Sequence, residues 1–297
     1  MEKIIITNFT DPVCVWCWAT EPVFRAIETR YPSVQVRYVM GGLVRDLSDF
    51  EDPGNHISSR DGDLNPQIME HWLQTFPRHH MPVEPEGFQL FTKETPSSYP
   101  QSIAYKAAQI ASPDKADRYL RALRAASIAQ ARPTGRSEVL LDIAREADID
   151  ILPFADALSS GAAQKAFQTD LGLTQALGAD VFPTFQVKSG TARQVWMRGF
   201  NTLQDFERVF AQLTDGGLSP LPSPPDSDIL DWLLSRYGNQ TPEEIYQAFD
   251  FDSRQQAEAW IDGLVQQGKY RKQPAGISYF LLPAWSASPR NADLAVS

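Results

Sequence analysis

Two cysteines occur in the 297 residues, and they stand together as Cys14-Val15-Trp16-Cys17. A thiolate can attack a disulfide, and a second thiol nearby can resolve the mixed disulfide that forms. A separation of three residues brings two side chains close together along a helix. The pair therefore reads as a thiol–disulfide exchange site, with Cys14 attacking and Cys17, one turn deeper, resolving. Unpaired N–H groups and the dipole at a helix start favour a thiolate at the first position. Two other readings compete. A zinc site needs further ligands, and His56, His71, His79 and His80 stand at no finger-like spacing from the pair. Two buried structural thiols would need no partner. A second element lies far downstream, in Val181-Phe182-Pro183-Thr184-Phe185, where proline at the start of a strand marks an edge or a special turn.

The elements that must position these residues follow from the patterning. Residues 3–9 read as a buried, Ile-rich strand bounded by Asp11-Pro12, and Val34–Met40 as a second, ended by Gly41-Gly42. Between them a helix is expected from near Cys14 to about Arg30, kinked near Pro22. This β-α-β opening places the cysteines at the start of its helix. Residues 43–100 read as irregular with short helices such as 66–76, and His79-His80 as a solvated loop pair. From Gln101 to Gly178 the pattern is almost all helical, with Ser137 as N-cap of 138–147 and Gly178 just past 162–177. Strands at Val181–Val187 and Gln194–Met197 flank a Ser189-Gly190 turn, and an amphipathic helix covers 202–213.

The result is an α/β domain over 1–218 with a helical insertion at about 60–178. A Pro-rich linker follows at 219–225, where four of seven residues are proline. Residues 226–282 read as three helices and a hairpin around Pro274-Ala275-Gly276, a small winged-helix-like α+β domain. Thr241 with Glu244 forms one capping box, with Pro242 at the first helical position, and Ser253 with Gln256 a second. Residues 283–297 read as a flexible tail.

Charge narrows the function classes. The chain carries 27 Lys+Arg against 37 Asp+Glu, a net charge of −10, which opposes general nucleic-acid binding. A winged helix can read DNA, but 226–282 holds nine acids against five bases, and helix 254–267 has Arg254 against Glu258 and Asp262. Packing on the redox domain, dimerisation or partner binding is the expectation there. The apolar run at the N-terminus is too short for a secretory signal, and no stretch approaches a membrane span. A cytoplasmic, membrane-free protein is expected, in a compartment that keeps thiols reduced.

With both elements in view, residues 1–215 resemble the DsbA-like branch of the thioredoxin superfamily. The Asp11–Trp18 stretch is similar to cytosolic FrnE-type members. Val39–Leu43, Ser97-Ser98-Tyr99-Pro100 and Ser102–Ala108 look closer to the SpxH (YjbH) type. The resemblance implies a thioredoxin-like fold, a cis Phe182-Pro183 peptide facing Cys14, and a client backbone that pairs beside Pro183 as in strand addition. Cys14, Cys17 and Pro183 are then the catalytic residues, with Trp16, Phe182, Thr184 and Tyr99 contacting a protein thiol or disulfide client. No cofactor or metal is required. The alternative implied by the SpxH type is an adaptor that delivers a transcription regulator to the ClpXP protease. Two departures point to a mild oxidant. Val15-Trp16 stands where strongly oxidising members have Pro-His, and Asn8 where many relatives carry a buried acid. Asp11, the nearest acid, either raises the Cys14 pKa or caps the helix. Trp18 is assigned to the core and Trp16 to the site surface.

Overall fold

In the computed structural model, residues 3–190 and 193–285 are described. The chain opens with β1 (Ile4–Thr10), α1 (Val15–Trp18), α2 (Glu21–Arg30) and β2 (Val34–Met40). Short 3₁₀ turns and a small hairpin, β3 (Glu51–Asp52) and β4 (Ile57–Ser58), come next. Six helices then fill the interval before the sheet resumes: α3 (Leu64–His79), α4 (Tyr99–Ala111), α5 (Ala116–Arg124), α6 (Ser137–Glu146), α7 (Ile151–Ser159) and α8 (Ala162–Ala176). β5 (Thr184–Ser189), β6 (Arg193–Arg198) and α9 (Leu203–Thr214) complete the α/β part. The sheet order is β2-β1-β5-β6, with β1 parallel to β2 and the other pairs antiparallel.

β1 lies between two strands and is covered on both faces, which explains its run of β-branched residues. Ile4, Ile6, Asn8, Phe9 and Thr10 are all buried. Helix α2 covers one face, its Phe24 ring meeting Tyr38, Phe185 and Phe206 at 6.0, 6.2 and 6.5 Å. Register sets Phe9 opposite Thr184 and Thr10 opposite Met40. The strand ends thus gather the cysteine turn, Gly41 and Pro183 at one edge.

Several expectations are corrected. The helix expected over 14–30 is two helices. Pro22 falls in the first turn of α2, where its missing N–H breaks no helical bond, so a new helix starts rather than an old one kinking. β5 begins at Thr184, not Val181, because Pro183 has no N–H for a ladder. α3 runs past Pro77, so His79 is a buried helical residue and not part of a solvated loop. Its Nδ1 accepts the Met81 N–H at 3.0 Å, and its Nε2 shares a hydrogen bond with Thr75 at 3.2 Å. Ser137 is the first residue of α6, and Arg136 occupies the cap.

The last third forms α10 (Ser227–Tyr237), α11 (Pro242–Ala248), α12 (Arg254–Gln266) and the hairpin β7 (Tyr270–Ala275) and β8 (Ser278–Pro283). Its two-residue turn is Gly276-Ile277, so Pro274 and Ala275 belong to β7. Thr241 and Glu244 complete a capping box; at Ser253 only half forms, because Gln256 accepts from the Asp252 N–H instead. The hairpin's Lys272 pairs with Glu258 and Asp262 of α12 at 3.6 and 2.6 Å. Residues 286–297 of the expected tail lie outside the described residues.

This segment is tied to the α/β part by buried polar contacts. Arg121 of α5 meets Glu244 through Nε at 2.7 Å and Nη2 at 2.5 Å, and Asn239 through Nη1 at 2.7 Å. The Arg25 guanidinium lies 3.4 Å from the Tyr237 ring centroid, and the Tyr237 hydroxyl donates to Glu28 at 2.5 Å. Gly276 rests on the Val83 backbone, where a Cβ would come within 2.0 Å of the carbonyl oxygen. Ala275 and Phe280 join the same apolar cluster as Val13, Val15 and Trp18, so the hairpin packs beneath the cysteine helix. The Pro-rich run is bonded as well: the Leu221 N–H donates to Arg30 and the Ser223 N–H to Asp250.

Candidate active site

The turn that leads from β1 into α1 is held by one carboxylate. Asp11 accepts from the Val13 N–H at 3.0 Å, the Leu43 N–H at 2.7 Å and the Ser98 hydroxyl at 3.0 Å. It therefore clasps the cysteine turn to the loop after β2 and the start of α4, and Cys14 itself takes the N-cap of α1. Burial pushes the Asp11 carboxyl up, against the pull of these donors. Ser97 serves the same clasp, its hydroxyl donating to the Val44 carbonyl at 2.9 Å.

Cys14 is 6% exposed and Cys17 is 0% exposed, and both are free thiols. A client can therefore reach the pair only at Cys14. The Cys14 Sγ donates to the Phe182 carbonyl at 3.5 Å, and the Phe182–Pro183 peptide is cis. The two elements singled out in the sequence, far apart along the chain, thus meet in space. Pro183 is buried behind Phe182, and its carbonyl accepts the Gly199 N–H at 2.8 Å.

An open groove of about 1010 Å³ runs past Cys14, lined in part by Trp16, Leu43, Phe50, His71, Phe182 and Phe200. Trp16 is half-buried, with the Phe200 ring at 5.8 Å and the Arg78 guanidinium over its face at 4.8 Å. Trp18 is core, its indole N–H donating to Pro82 at 3.0 Å. Gly41 lies under the Phe182 ring, where a Cβ would come to 2.0 Å of its edge, so a larger residue would have to push the ring aside. Two expected client contacts stand away from the groove wall. Tyr99 packs edge-on against Phe167 at 5.0 Å, and the Thr184 hydroxyl is buried and donates to Val181 at 2.6 Å.

The charge distribution around the thiols differs from the expectation. α1 has only four residues, so little dipole acts on Cys14. Burial pushes the Cys14 thiol well up, with the Cys17 sulfur and Asp11 adding to it. Burial opposes a thiolate at Cys17 too. The Cys14 thiol, the Arg124 charge and the Thr10 hydroxyl more than offset it, and hold the Cys17 thiol below its ordinary value. Arg124 is fully buried at the end of α5, donating to Glu21 and, at 2.5 Å, to Thr10. Asn8, in place of a buried acid, has neither side-chain polar atom hydrogen-bonded. Among the described residues no cluster could hold a metal ion.

Sequence reading missed Arg124, Glu21, Thr10, Gly41 and Phe200. Arg121 and Arg124, three apart in an Ala- and Leu-rich helix, were the available signal for buried cations.

The family model described as Thioredoxin matches residues 8–207. The ClpXP adapter protein SpxH of Halalkalibacterium halodurans is 25% identical over 277 residues, covering 92% of this chain and 86% of the relative. Among solved structures, a candidate protein disulfide isomerase from Nitrosomonas europaea superposes with a TM-score of 0.60 at 19% identity, over 73% of this chain and all of that one. The cytosolic disulfide reductase DsbM from Pseudomonas aeruginosa gives 0.51 at 21% identity, over 78% of this chain and 98% of that one. The likeness to these two structures is one of fold: a DsbA-like thioredoxin fold with helices inserted between β2 and β5.

Proposed function

Since the chain belongs to the thioredoxin family, we propose that it carries out thiol–disulfide exchange on a protein client. The observation that carries this reading is the Cys14 sulfur, 3.5 Å from the Phe182 carbonyl and at the edge of an open groove, with Cys17 buried behind it. A Cys14 thiolate attacks a client disulfide, forms a Cys14–client disulfide and releases one client thiolate. The Cys17 thiolate then attacks the Cys14 sulfur, the internal disulfide forms, and the second client sulfur leaves and takes a proton from water. Two electrons pass from the pair to the client, and the reverse sequence oxidises a dithiol. Pro183 backs the client backbone, and Trp16 and Phe182 supply the apolar contact.

The raised Cys14 thiol makes attack slow near neutrality and faster as pH rises. Insulin reduction with an external reductant tests the reading. Wild type is expected to speed precipitation, with the rate climbing into alkaline pH, and Cys14→Ser to abolish the effect. Undiminished activity in Cys14→Ser would contradict it.

A second reading is supported by a different observation. The relatives named ClpXP adapter protein SpxH align over 92% of this chain. On this reading the protein, in the cytoplasm, presents a client regulator to a protease, and Cys14→Ser leaves client capture intact. A pull-down that recovers neither protease nor client with either form counts against it.

A further inference from the structure

Asp11 is fully buried, and its carboxylate accepts from three segments of the chain at once. Oδ1 takes the Val13 N–H at 3.0 Å, while Oδ2 takes the Leu43 N–H at 2.7 Å and the Ser98 hydroxyl at 3.0 Å. Among the described residues no ion pair accompanies these bonds. A buried carboxylate without a paired cation is costly, and neutral donors offset only part of that cost. What the three bonds do is set the mouth of the groove. Val13 adjoins Cys14, and Val13, Cys14, Leu43 and Val44 all line it. Ser98 is buried too, and its hydroxyl accepts the Val44 N–H at 3.0 Å, which fixes the loop after β2 to α4. Gly41, two residues before Leu43, lies under the Phe182 ring, and the Phe182 carbonyl accepts from the Cys14 thiol at 3.5 Å. A closed circuit of contacts therefore runs from Cys14 through Asp11, Leu43, Gly41 and Phe182 back to the Cys14 sulfur. Asp11 is the side chain in that circuit that bonds both the cysteine turn and the loop opposite.

We propose that Asp11 is a positioning residue for Cys14, holding the cysteine turn against the loop after β2 so that the sulfur rests on the Phe182 carbonyl. The thiol is then closed to small reagents, which matches its 6% exposure, and is presented to a chain that enters the groove. This role rests on the exchange reading and adds selectivity to it. An extended client brings backbone N–H donors that can replace the thiol at the Phe182 carbonyl. A small alkylating reagent brings none. Asp11→Asn keeps the shape of the side chain but has one acceptor oxygen where the clasp uses two. Whichever way the amide lies, its NH₂ group faces the N–H of Val13 or of Leu43, and one side of the clasp opens.

In Cys17→Ala, where Cys14 is the single thiol, alkylation by iodoacetamide is followed against pH. Losing the Asp11 charge moves the midpoint of that profile, whereas uncovering the sulfur raises its alkaline plateau. Adding Asp11→Asn should raise the plateau by about tenfold, and Ser98→Ala, which removes one bond of the three, by about threefold. Low urea separates the two ways of exposing the sulfur: opening within the folded state leaves the rate flat, and global unfolding makes it climb steeply. In the two-cysteine protein, Asp11→Asn should slow insulin reduction by about tenfold, because the sulfur is no longer held in line with the groove. Should Asp11→Asn not fold, Ser98→Ala decides by the same plateau. A plateau that stays at the wild-type level, or one that climbs steeply with urea, overturns the assignment. So does insulin reduction by folded Asp11→Asn at the wild-type rate, since the clasp would then be a cover and nothing more. A raised, urea-independent plateau in a protein that leaves insulin untouched even with Asp11 and both cysteines present keeps the hold on Cys14 and removes the exchange reading. Insulin reduction by the unaltered protein with unchanged plateaus does the opposite.

Discussion

Arg121 and Arg124 lie one turn apart on α5, and both are buried. Arg121 is balanced: Glu244 takes two of its nitrogens and Asn239 a third. Arg124 is not, since it shares Glu21 with Arg25 and keeps one N–H without a partner. One arginine therefore fastens the C-terminal segment, and the other joins α5 to Glu21 of α2 and Thr10 of β1. Residue type, helix and burial are alike. The count of counter-ions separates the two.

The largest expected effect is at the balanced end. Arg121→Met leaves Glu244 buried without its cation and should cost about 3–5 kcal/mol in chemical denaturation. Arg121→Met/Glu244→Leu should recover most of it. A loss below about 1 kcal/mol in the single variant would mean that the pair is no staple.

Acid should separate the two ends. At the groove end, burial and the neighbouring His80 and Arg78 charges hold His79 down to about 3. The unfolded chain takes up that proton near 6.5, so stability is full above that value and is lost as pH falls towards 3. The loss should be on the order of a few kcal/mol, and His79→Gln should remove it. Glu244 behaves the same way over a lower window. Burial opposes its charge, but Arg121 and its other partners hold its carboxyl below the ordinary range, so its contribution is lost only below about 4.3. Mild acid should loosen the packing around Trp16 first, seen in tryptophan fluorescence, and stronger acid the docked segment. Simultaneous loss at both ends would erase this distinction.

A smaller effect is expected at Thr10, whose buried hydroxyl accepts from Arg124. Thr10→Val should cost about 1 kcal/mol in denaturation. The smallest belongs to the partly exposed Arg30–Asp250 pair, which also joins the two parts, at 2.5 Å. Arg30→Ala should change stability by less than about 1 kcal/mol, which would leave the buried pair as the main polar fastening.

The cysteine turn and the order of elements along the chain were legible in the sequence from spacing and patterning, and the meeting of Cys14 with Phe182-Pro183 from the family resemblance. So were Trp18 in the core and the Thr241 capping box. What escaped was set by tertiary contact. Nothing local marks Arg124 as buried on Glu21 and Thr10, since the three are brought together from α5, α2 and β1. His79 looked like part of a loop beyond the helix expected over 66–76, yet α3 continues through Pro77 to His79. Thr184 and Tyr99 looked like client contacts; Thr184 is buried opposite Phe9, the Tyr99 ring packs on Phe167, and neither lines the groove.

The most direct test of the exchange account is a covalent trap. Purified Cys17→Ala, which can attack through Cys14 but cannot resolve, is mixed with insulin and examined by non-reducing electrophoresis and mass spectrometry. The account predicts a reductant-sensitive adduct mapped to Cys14, absent in Cys14→Ser/Cys17→Ala. A folded Cys17→Ala protein that forms no adduct at Cys14, even at alkaline pH, would contradict it.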